Sequence, residues 1–455
     1  MTKLSALLLL VPYFLASVAA QGQGQGTIGN SDCVQSYDPT HDYFSASKIT
    51  VDNAALFKVD YKLNYKVVTN TANGGNKEYV LYQCGTTVPD RTLFRNTTVF
   101  VEIPVKNAAT IATTPLAFIE LLGRRSAIRA VDTESLITSP CVQYDLEQKK
   151  IVPLEDKNLT LRAEQFLAAD VVFSTFGSEP GTANKTVVTS EVSDPGPLNR
   201  AEWLEFYSTF FNLEAPAQEL TASINNNYNC FKSAATTKTT TKPVIAWTQY
   251  MAPSAYNNNT ASWSLSGADY KRILSTDAGA TFFNGTSKSS FTSADEFAAA
   301  VASVDVLIDE TLNGADMAGF LQNYKLTADS DLKFVKNKAV FRQDGAVNPN
   351  DGRDWFASAV VMNDAVLQDV VRAVHPEVLP ADVQFNWIRN IAKGEAKKVL
   401  TSADCKATDS NKPVMDRAIV CKDMKAGGGG SSAAAKQVAG AWAGVATVLA
   451  VALAL

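Results

Sequence analysis

The sequence predicts an α/β protein with two lobes that are joined by a central helical segment and preceded by a β-meander. Three observations predict this fold: turn-rich extended structure at residues 55–105, a helix-to-strand pattern that recurs in both halves of the chain, and an aromatic helical stripe between them. Alternation of helices with buried strands is typical of sheets that are covered by helices.

The first extended region alternates apolar and polar residues at 57–61 and 65–68. A cluster of Asn and Gly at 73–76 predicts a turn, and 79–82 is predicted as the returning strand. Residues 99–105 form another predicted strand, so the region is interpreted as a β-meander.

A strand–turn–helix unit follows. Residues 109–112 are predicted as a short buried strand, with Thr113 or Thr114 as the helix cap. Pro115 suits a first helical position and Gly123 suits the end. Apolar residues recur at a spacing of three between them, as expected for one face of a helix.

The two halves of the chain share a second pattern. Glu164–Phe166 lies in a predicted helix just before the buried strand that begins at 169–172, and Asp295–Phe297 precedes a similar strand at 304–307. The matching order predicts two α/β lobes. Between the lobes, Pro216 suits the first turn of a new helix, so two helices are predicted to meet near Asn212. The aromatic stripe is expected to face the core, and it consists of Trp203, Phe206, Tyr207, Phe210 and Phe211.

Both ends of the chain are apolar. Residues 1–20 have the pattern of a secretory signal peptide, with cleavage expected after Ala20. Residues 427–455 combine a small-residue stretch with an apolar tail, as in a GPI attachment signal whose acceptor lies within 427–432. A true C-terminal membrane anchor and an artificial linker, suggested by the GGGGSS string, remain alternatives.

Composition narrows the classes of function. The hydrophobic content is 46%, the charged content 19% and the formal net charge −5, which are values of a globular protein without a basic face for nucleic acid. Only His41 and His375 are present, which argues against zinc hydrolases and His-based triads. Asn-x-Ser/Thr sequons predict an extracellular glycoprotein, and they start at Asn96, Asn158, Asn184, Asn258 and Asn284.

Six cysteines in an oxidising compartment predict up to three disulfides, and about 15 pairings are formally possible. Cys405 and Cys421 close a short loop, so this pair is the favoured one. The segment 396–426 is therefore interpreted as a disulfide-containing C-terminal segment.

Several stretches resemble the class III periplasmic substrate-binding proteins, which are receptors for siderophores, haem, cobalamin or metals. The similar stretches are VKNAATIATTPLAFIELLGRRSAIRAV (105–131), LRAEQFLAADVVFS (161–174), EWLEFYSTFFNLEAPAQEL (202–220), SADEFAAAVASVDVLIDE (293–310), FVKNKAVF (334–341) and VHPE (374–377). The resemblance implies two Rossmann-like lobes joined by a rigid backbone helix. It also implies the boundaries 33–200 for the meander and first lobe, 201–232 for the linker helices and 243–395 for the second lobe.

The same resemblance implies a ligand between the lobes, at the turns that follow the strands. The candidate ligand-binding residues are Thr113, Thr114, Thr175, Phe176, Trp247, Tyr250, Asp309, Glu310, Arg342, Arg353 and Trp355. Thr hydroxyls and helix N-termini suit an anionic group, Trp and Tyr provide apolar walls, and Arg suits a ferric-chelate anion. Helix capping, core packing and solvated loop charges are the alternative roles. Glu120 and Glu164 lie on predicted helices and are expected at the surface.

The expected function is that of a cell-surface receptor for a small ligand such as a ferric siderophore, haem or a related metal complex, without a resident metal or cofactor. We expect a monomer that contacts the membrane through its GPI lipid and has no nucleic-acid partner. A structural or adhesive surface glycoprotein and a carboxylate-based surface hydrolase are the alternatives. No catalytic motif favours an enzyme.

Overall fold

The computed structural model describes residues 33–285, 288–312, 316–414 and 421. A four-stranded sheet comes first, with strands β1 (Phe57–Tyr61), β2 (Tyr65–Asn70), β3 (Lys77–Gln83) and β4 (Val99–Ile103). The first three strands are antiparallel, as in a meander, whereas β4 pairs in parallel with β3. The connection through 84–98 is long enough to return along the sheet, so β4 can run in the direction of β3.

Lobe 1 is a five-stranded parallel sheet with helices, in the order β7-β6-β5-β8-β9. Its elements along the chain are β5 (Ala108–Thr110), α1 (Thr114–Leu121), β6 (Ile128–Val131), α2 (Pro140–Glu147), β7 (Val152–Pro153), α3 (Leu159–Leu167), β8 (Val171–Ser174) and β9 (Thr186–Val188). The predicted strand–turn–helix unit is thus β5 and α1. Gly123 adopts a φ of +65° just beyond the helix, a conformation that favours glycine.

The linker consists of three helices, α4 (Pro197–Ala201), α5 (Trp203–Ser208) and α6 (Glu214–Lys238). Pro216 lies in the first turn of α6, and Asn212 has a φ of 54° between α5 and α6, as the predicted meeting point of two helices requires. The five aromatic residues of the stripe are all buried. At 25 residues, α6 is about 38 Å long and links the two lobes.

Lobe 2 contains a seven-stranded mixed sheet with the order β13-β11-β10-β14-β15-β17, and β12 also pairs with β10. A separate parallel pair joins β16 to β18. The elements are β10 (Val244–Met251), β11 (Ser262–Leu265), α7 (Asp269–Asp277), β12 (Thr281–Phe283), β13 (Ser290–Phe291), α8 (Ala294–Ala300), β14 (Val306–Asp309), α9 (Met317–Tyr324), α10 (Lys333–Lys336), β15 (Val340–Arg342), β16 (Ala346–Val347), α11 (Ser358–Val361), α12 (Asn363–Val374), β17 (Arg389–Asn390) and β18 (Lys398–Val399).

One hydrophobic core connects these parts. It runs from Phe57 in the N-terminal sheet through Phe206 of α5 to Leu116 of α1 and Val366 of α12. The lobes therefore share buried apolar surface, which stabilises their relative placement. The fold is the predicted α/β arrangement of two lobes around a helical linker.

Three disulfides join Cys33 to Cys84, Cys141 to Cys405, and Cys230 to Cys421. The favoured pairing of Cys405 with Cys421 is wrong. We call residues 398–414 the C-terminal strap. It begins as β18 in lobe 2 and returns to lobe 1, and this path brings Cys405 to Cys141 of α2. Two hydrogen bonds hold it there: Ser126 N donates to Ser410 O at 3.0 Å, and Arg125 Nη2 donates to Ala407 O at 2.6 Å.

The predicted signal peptide (1–20) and GPI signal (427–455) lie outside the described residues. Within the described ranges, no helix is both long and apolar enough to cross a bilayer. The asparagines of all five sequons are exposed, so each is accessible to modification.

Candidate functional site

The loop after β15 connects the two lobes. We call residues 343–357 the bridging loop. Its Asn348 Nδ2 donates to Ser135 O at 2.8 Å, and Thr114 Oγ1 of lobe 1 donates to its Phe356 O at 2.7 Å. Because these contacts lie at the carboxyl ends of β5, β6 and β15, the loop spans the region where ligands usually bind between α/β lobes.

The bridging loop is shaped by its own polar side chains. Asn348 Oδ1 accepts from Asn350 N at 3.0 Å and Gly352 N at 2.8 Å, which is a side-chain-stabilised turn. A Cβ at Gly352 would lie 3.0 Å from the Asn348 side chain, so the turn favours glycine there. The Arg353 guanidinium donates to the carbonyls of residues 310–312 and thereby fixes the loop on lobe 2.

A cavity of about 380 Å³ lies between the lobes, beside the bridging loop. Lobe 1 lines it with Thr113, Leu116, Ala117, Glu120 and 138–140. The wall from lobe 2 and the strap consists of Ala346, Asp354, Ala357, Ser358, Met362, 384–387, Lys398, Leu400 and Val414. The volume of the cavity lies within the range of small-molecule binding sites. Such sites are usually lined by apolar side chains with a few polar groups, as this cavity is.

Asp354 is the first of two acidic side chains in the cavity wall. Its carboxylate accepts from Trp387 Nε1 at 2.7 Å and from the hydroxyls of Thr138 and Ser358. These three donors come from both lobes, and the bond from Trp387 positions its ring in the wall. Asp354 therefore joins the lobes and orders the site.

Glu120 is the second acidic side chain. It is only 5% exposed, although it lines the cavity. The pKa of this carboxyl is raised to about 7, chiefly by burial and to a smaller extent by Asp354 and Asp145, against the lowering effects of Ser139 and Arg125. Within the described part of the chain, Oε1 has no hydrogen-bond partner.

The nearest cation to Glu120 is Arg125, whose Nη1 is itself buried and has no hydrogen-bond partner among the described residues. Arg125 Nη1 lies 3.7 Å from Glu120 Oε1, whereas its Nε donates to Asp145 Oδ2 at 2.6 Å. Arg125 and Asp145 are not among the residues that line the cavity. Glu120 Oε1 is therefore enclosed and forms a long ion pair with Arg125 behind the cavity wall.

The predicted ligand residues of lobe 2 form an ion-pair network of their own. Arg342 pairs with Asp309, and its Nε donates to Asp344 at 3.0 Å. Glu310 pairs with Lys271 at 2.6 Å, and burial raises the pKa of Glu310. Arg342 and Asp309 are each 1% exposed. These charges are satisfied within lobe 2, and their contact with ligand stays a prediction.

The predicted aromatic residues of lobe 2 are packed together. Trp247 is fully buried, donates from Nε1 to Ser275 Oγ at 3.1 Å, and lies 5.8 Å from the buried Trp355 ring. The Tyr250 ring packs 5.4 Å from Trp263. These rings and Arg353 do not line the cavity.

The predicted residues of lobe 1 are divided between two places. Thr113 lines the cavity, and Thr114 forms the contact with the bridging loop described above. Thr175 and Phe176 follow β8 at its carboxyl end, where Phe176 is 84% exposed. Ligand contact at these positions stays a prediction.

Sequence reasoning missed Glu120, Asp354 and Trp387 as parts of the cavity wall. The expectation that Glu120 lies at the surface is wrong, whereas Glu164 is exposed as expected. The residues around Glu120 are apolar on every side of α1, and such a helix is typically buried all round. That pattern was the available signal. Within the described ranges, no three His, Cys, Asp or Glu side chains are grouped as a metal site.

No protein-family model and no curated protein matches this chain. Among solved structures, a periplasmic binding protein from Veillonella parvula is similar at 11% identity and a TM-score of 0.46, covering 68% of this chain and 98% of its own. Helicobacter pylori CeuE with Ni(II) bound is 14% identical with a TM-score of 0.44, covering 68% of this chain and 94% of that one. The periplasmic haem-binding protein HutB of Vibrio cholerae is 16% identical with a TM-score of 0.42, covering 59% and 99%.

Proposed function

We propose that this protein binds a small organic molecule or metal complex in the cavity between its lobes. The observation that carries the proposal is the cavity itself, about 380 Å³ in volume and walled by α1 on one side and by residues 384–387 on the other. Side chains of both lobes meet there, with apolar groups around two carboxyls. Such a wall suits a ligand that is enclosed from two sides.

The site is preformed. The C-terminal strap pairs with β16 in lobe 2 and is covalently joined to α2 of lobe 1 through Cys405. A second disulfide links Cys421 to α6. Because these ties and the bridging loop hold both lobes, ligand binding is expected to involve little lobe closure. A preorganised cavity loses less entropy on binding.

For the ligand and its setting, the sequence resemblance suggests capture of a ferric siderophore, haem or a related metal complex at the cell surface. Two of the similar solved structures are described as nickel-bound and haem-binding. Three disulfides and five exposed sequons support folding in an oxidising, extracellular compartment. Attachment through a GPI lipid at 427–432 and a monomeric state complete the proposal.

The structural or adhesive alternative is favoured by the same ties between the lobes, since a wall protein also benefits from a locked fold. The hydrolase alternative is less well supported. A carboxylate mechanism needs two acidic groups that exchange protons with substrate, and the oxygens of Asp354 are engaged by three donors. Glu120 alone does not supply the pair.

The test is a binding screen of the purified protein with ferric siderophores, haem and small organic cations, anions and neutral compounds. Trp387 lines the cavity, so its fluorescence is expected to change on binding. Ala117→Leu places a larger side chain in the wall and should weaken binding by about tenfold or more. Ala163→Leu on the exposed face of α3 is the matched control.

Saturable binding that is weakened by Ala117→Leu and unchanged by Ala163→Leu would support the proposal. Equal affinity in both variants would mean that the ligand binds elsewhere. If no compound in the panel binds saturably, the structural alternative is favoured.

A further inference from the structure

Three of the five glycosylation sequons share a further feature. An aromatic residue lies two positions before the acceptor asparagine in 94–98 (FRNTT), 256–260 (YNNNT) and 282–286 (FFNGT). Aromatic residues make up 9% of the chain, so fewer than one of the five sequons would carry one at this position by chance. The ring of Phe282 packs on the hydrophobic core, whereas the other two rings lie in surface loops.

The loop that carries Tyr256 presents its ring to solvent. The Tyr256 side chain is fully exposed. The loop nevertheless has a defined turn, because Thr260 N donates to Asn257 O at 3.1 Å and both Asn258 and Asn259 have a φ of 53°. The ring and the acceptor asparagine are therefore presented to solvent together.

Phe94 precedes Asn96 in the loop between β3 and β4. Its ring contacts the protein on one side, with centroid distances of 6.0 Å to Tyr65 and 5.4 Å to Phe100. A turn at 95–98 contains the acceptor and is closed by a 2.9 Å hydrogen bond from the last backbone N–H to the first carbonyl. Phe94 is only partly buried and Asn96 is exposed, so part of the ring is accessible beside the acceptor.

The spacing allows an attached sugar to contact the ring. The Cα atoms of residues two positions apart lie within about 7 Å of each other, a distance that an aromatic side chain and a glycosylated asparagine span together. The axial C–H groups of N-acetylglucosamine line the faces of its ring, and they are attracted to the electron-rich face of an aromatic ring. Such packing also removes apolar ring surface from water.

We propose that Phe94 and Tyr256 are packing platforms for the first N-acetylglucosamine of glycans on Asn96 and Asn258. Attachment forms a bond from the asparagine Nδ2 to C1 of the sugar and breaks the bond from that C1 to the diphosphate of a lipid-linked oligosaccharide. Nδ2 loses one proton, and the lipid diphosphate leaves. The attached sugar covers one face of each ring and stabilises the loop that carries it.

The test is hydroxyl-radical footprinting of the full chain produced in a eukaryotic cell, with peptide mass spectrometry of sequon occupancy and of ring oxidation. The protein with intact glycans is compared with protein trimmed by an endoglycosidase to one N-acetylglucosamine per site, and with Asn96→Gln and Asn258→Gln. Phe176 is the control ring, because it is 84% exposed and no sequon follows it at this spacing. Asn184→Gln is the control variant, because Thr182 stands two positions before that acceptor.

The expected result is that the glycan protects the ring two positions before it. With one face covered, oxidation of Tyr256 should be about twofold lower in the intact and the trimmed protein than in Asn258→Gln, and oxidation of Phe94 should be lower than in Asn96→Gln. Phe176 should not change, and Asn184→Gln should leave all three rings unchanged. Thr260→Ala removes the sequon but keeps the asparagine of the turn, and it should expose Tyr256 as Asn258→Gln does.

Equal oxidation of either ring with and without its glycan would overturn the inference, as would the absence of glycan from Asn96 and Asn258 in the purified protein. Protection of Tyr256 that is lost on trimming to one sugar would also overturn it, because the outer sugars would then be responsible. None of these results bears on ligand binding in the cavity.

Discussion

The buried carboxyl group of Glu191 provides a quantitative test of how the stability of this fold depends on pH. The residue is fully buried where β9 leads into the linker, and its Oε1 accepts only neutral hydrogen bonds, from Thr189 Oγ1 and Tyr207 OH at 3.4 Å. Among the described residues, none donates to Oε2. Burial raises the pKa of this carboxyl from its ordinary value of 4.5 to about 7, although Arg200 lowers it somewhat.

The direction of the stability effect follows from proton binding. Between pH 4.5 and pH 7 the folded chain keeps a proton on Glu191 that the unfolded chain has lost, so the free energy of unfolding falls as pH rises. A shift of about 2.5 pH units corresponds to roughly 3 kcal/mol at most. The stabilisation is present below pH 4.5 and is lost above about pH 7.

The perturbation is Glu191→Gln, which is neutral at every pH. It should match the unmodified protein at pH 4 and exceed its stability at pH 8 by up to about 3 kcal/mol, or roughly 4 °C in melting temperature for a chain of this length. Differential scanning calorimetry at both pH values measures the difference, with Glu164→Gln as the exposed control. Glu120 and Glu205 have pKa values raised to about 7 and about 8, so both proteins should still lose some stability as pH rises. A variant that is less stable than the parent by the same amount at both pH values would refute the reasoning.

Three further predictions concern the ties within the fold. Replacing Cys141 and Cys405 by Ser should destabilise the protein by about 2–5 kcal/mol, since this disulfide spans a sequence separation of 264 residues; non-reducing peptide mapping should recover the pair, and an unchanged melting temperature would contradict its role. Arg342→Met should cost roughly 3–5 kcal/mol in urea unfolding, because it leaves Asp309 without its buried partner; a neutral effect would show that the pair is not buried. Asp369→Asn should cost about 1–3 kcal/mol, because the carboxylate accepts three backbone N–H groups of the segment at the cavity wall; unchanged stability together with unchanged ligand affinity would contradict this role.

The sequence predicted those parts of the fold that depend on local patterns. Pro115 and Gly123 marked α1, because Pro suits the first turn and Gly suits the positive φ after the last turn. The burial of the aromatic stripe at 203–211 was also predictable, because large apolar side chains along one face of a helix are typical of a face that packs on the core. The parallel pairing of β4 was not predictable in this way, because it depends on the path of the connection through 84–98.

The candidate site was predicted only at its edges. Thr113 follows a strand and lines the cavity, as a switch-point rule suggests. Arg342 and Asp309 were chosen by the same rule, but they lie one strand apart in a parallel pair and neutralise each other. Glu120 was assigned to the surface because it lies on a predicted helix, although the apolar residues on every side of α1 are typical of a helix that is buried all round.

The disulfides illustrate the limit of sequence spacing. Cys405 and Cys421 are close in sequence, yet the strap carries Cys405 to α2, where Ser410 Oγ also donates to Asp145 at 2.9 Å. Cys421 lies at α6, bonded to Cys230. The disulfide partners therefore depend on where the strap packs, and no local sequence pattern predicts that packing.

The central claim is that a preformed cavity between the lobes binds a small molecule, and it is tested most directly by titrating ligands against the parent and Ala117→Leu proteins. We expect saturable Trp fluorescence changes with the parent and Ala163→Leu proteins, and an affinity about tenfold lower or more with Ala117→Leu. Identical affinities across the three proteins, or no saturable change with any ligand of the panel, would contradict the claim.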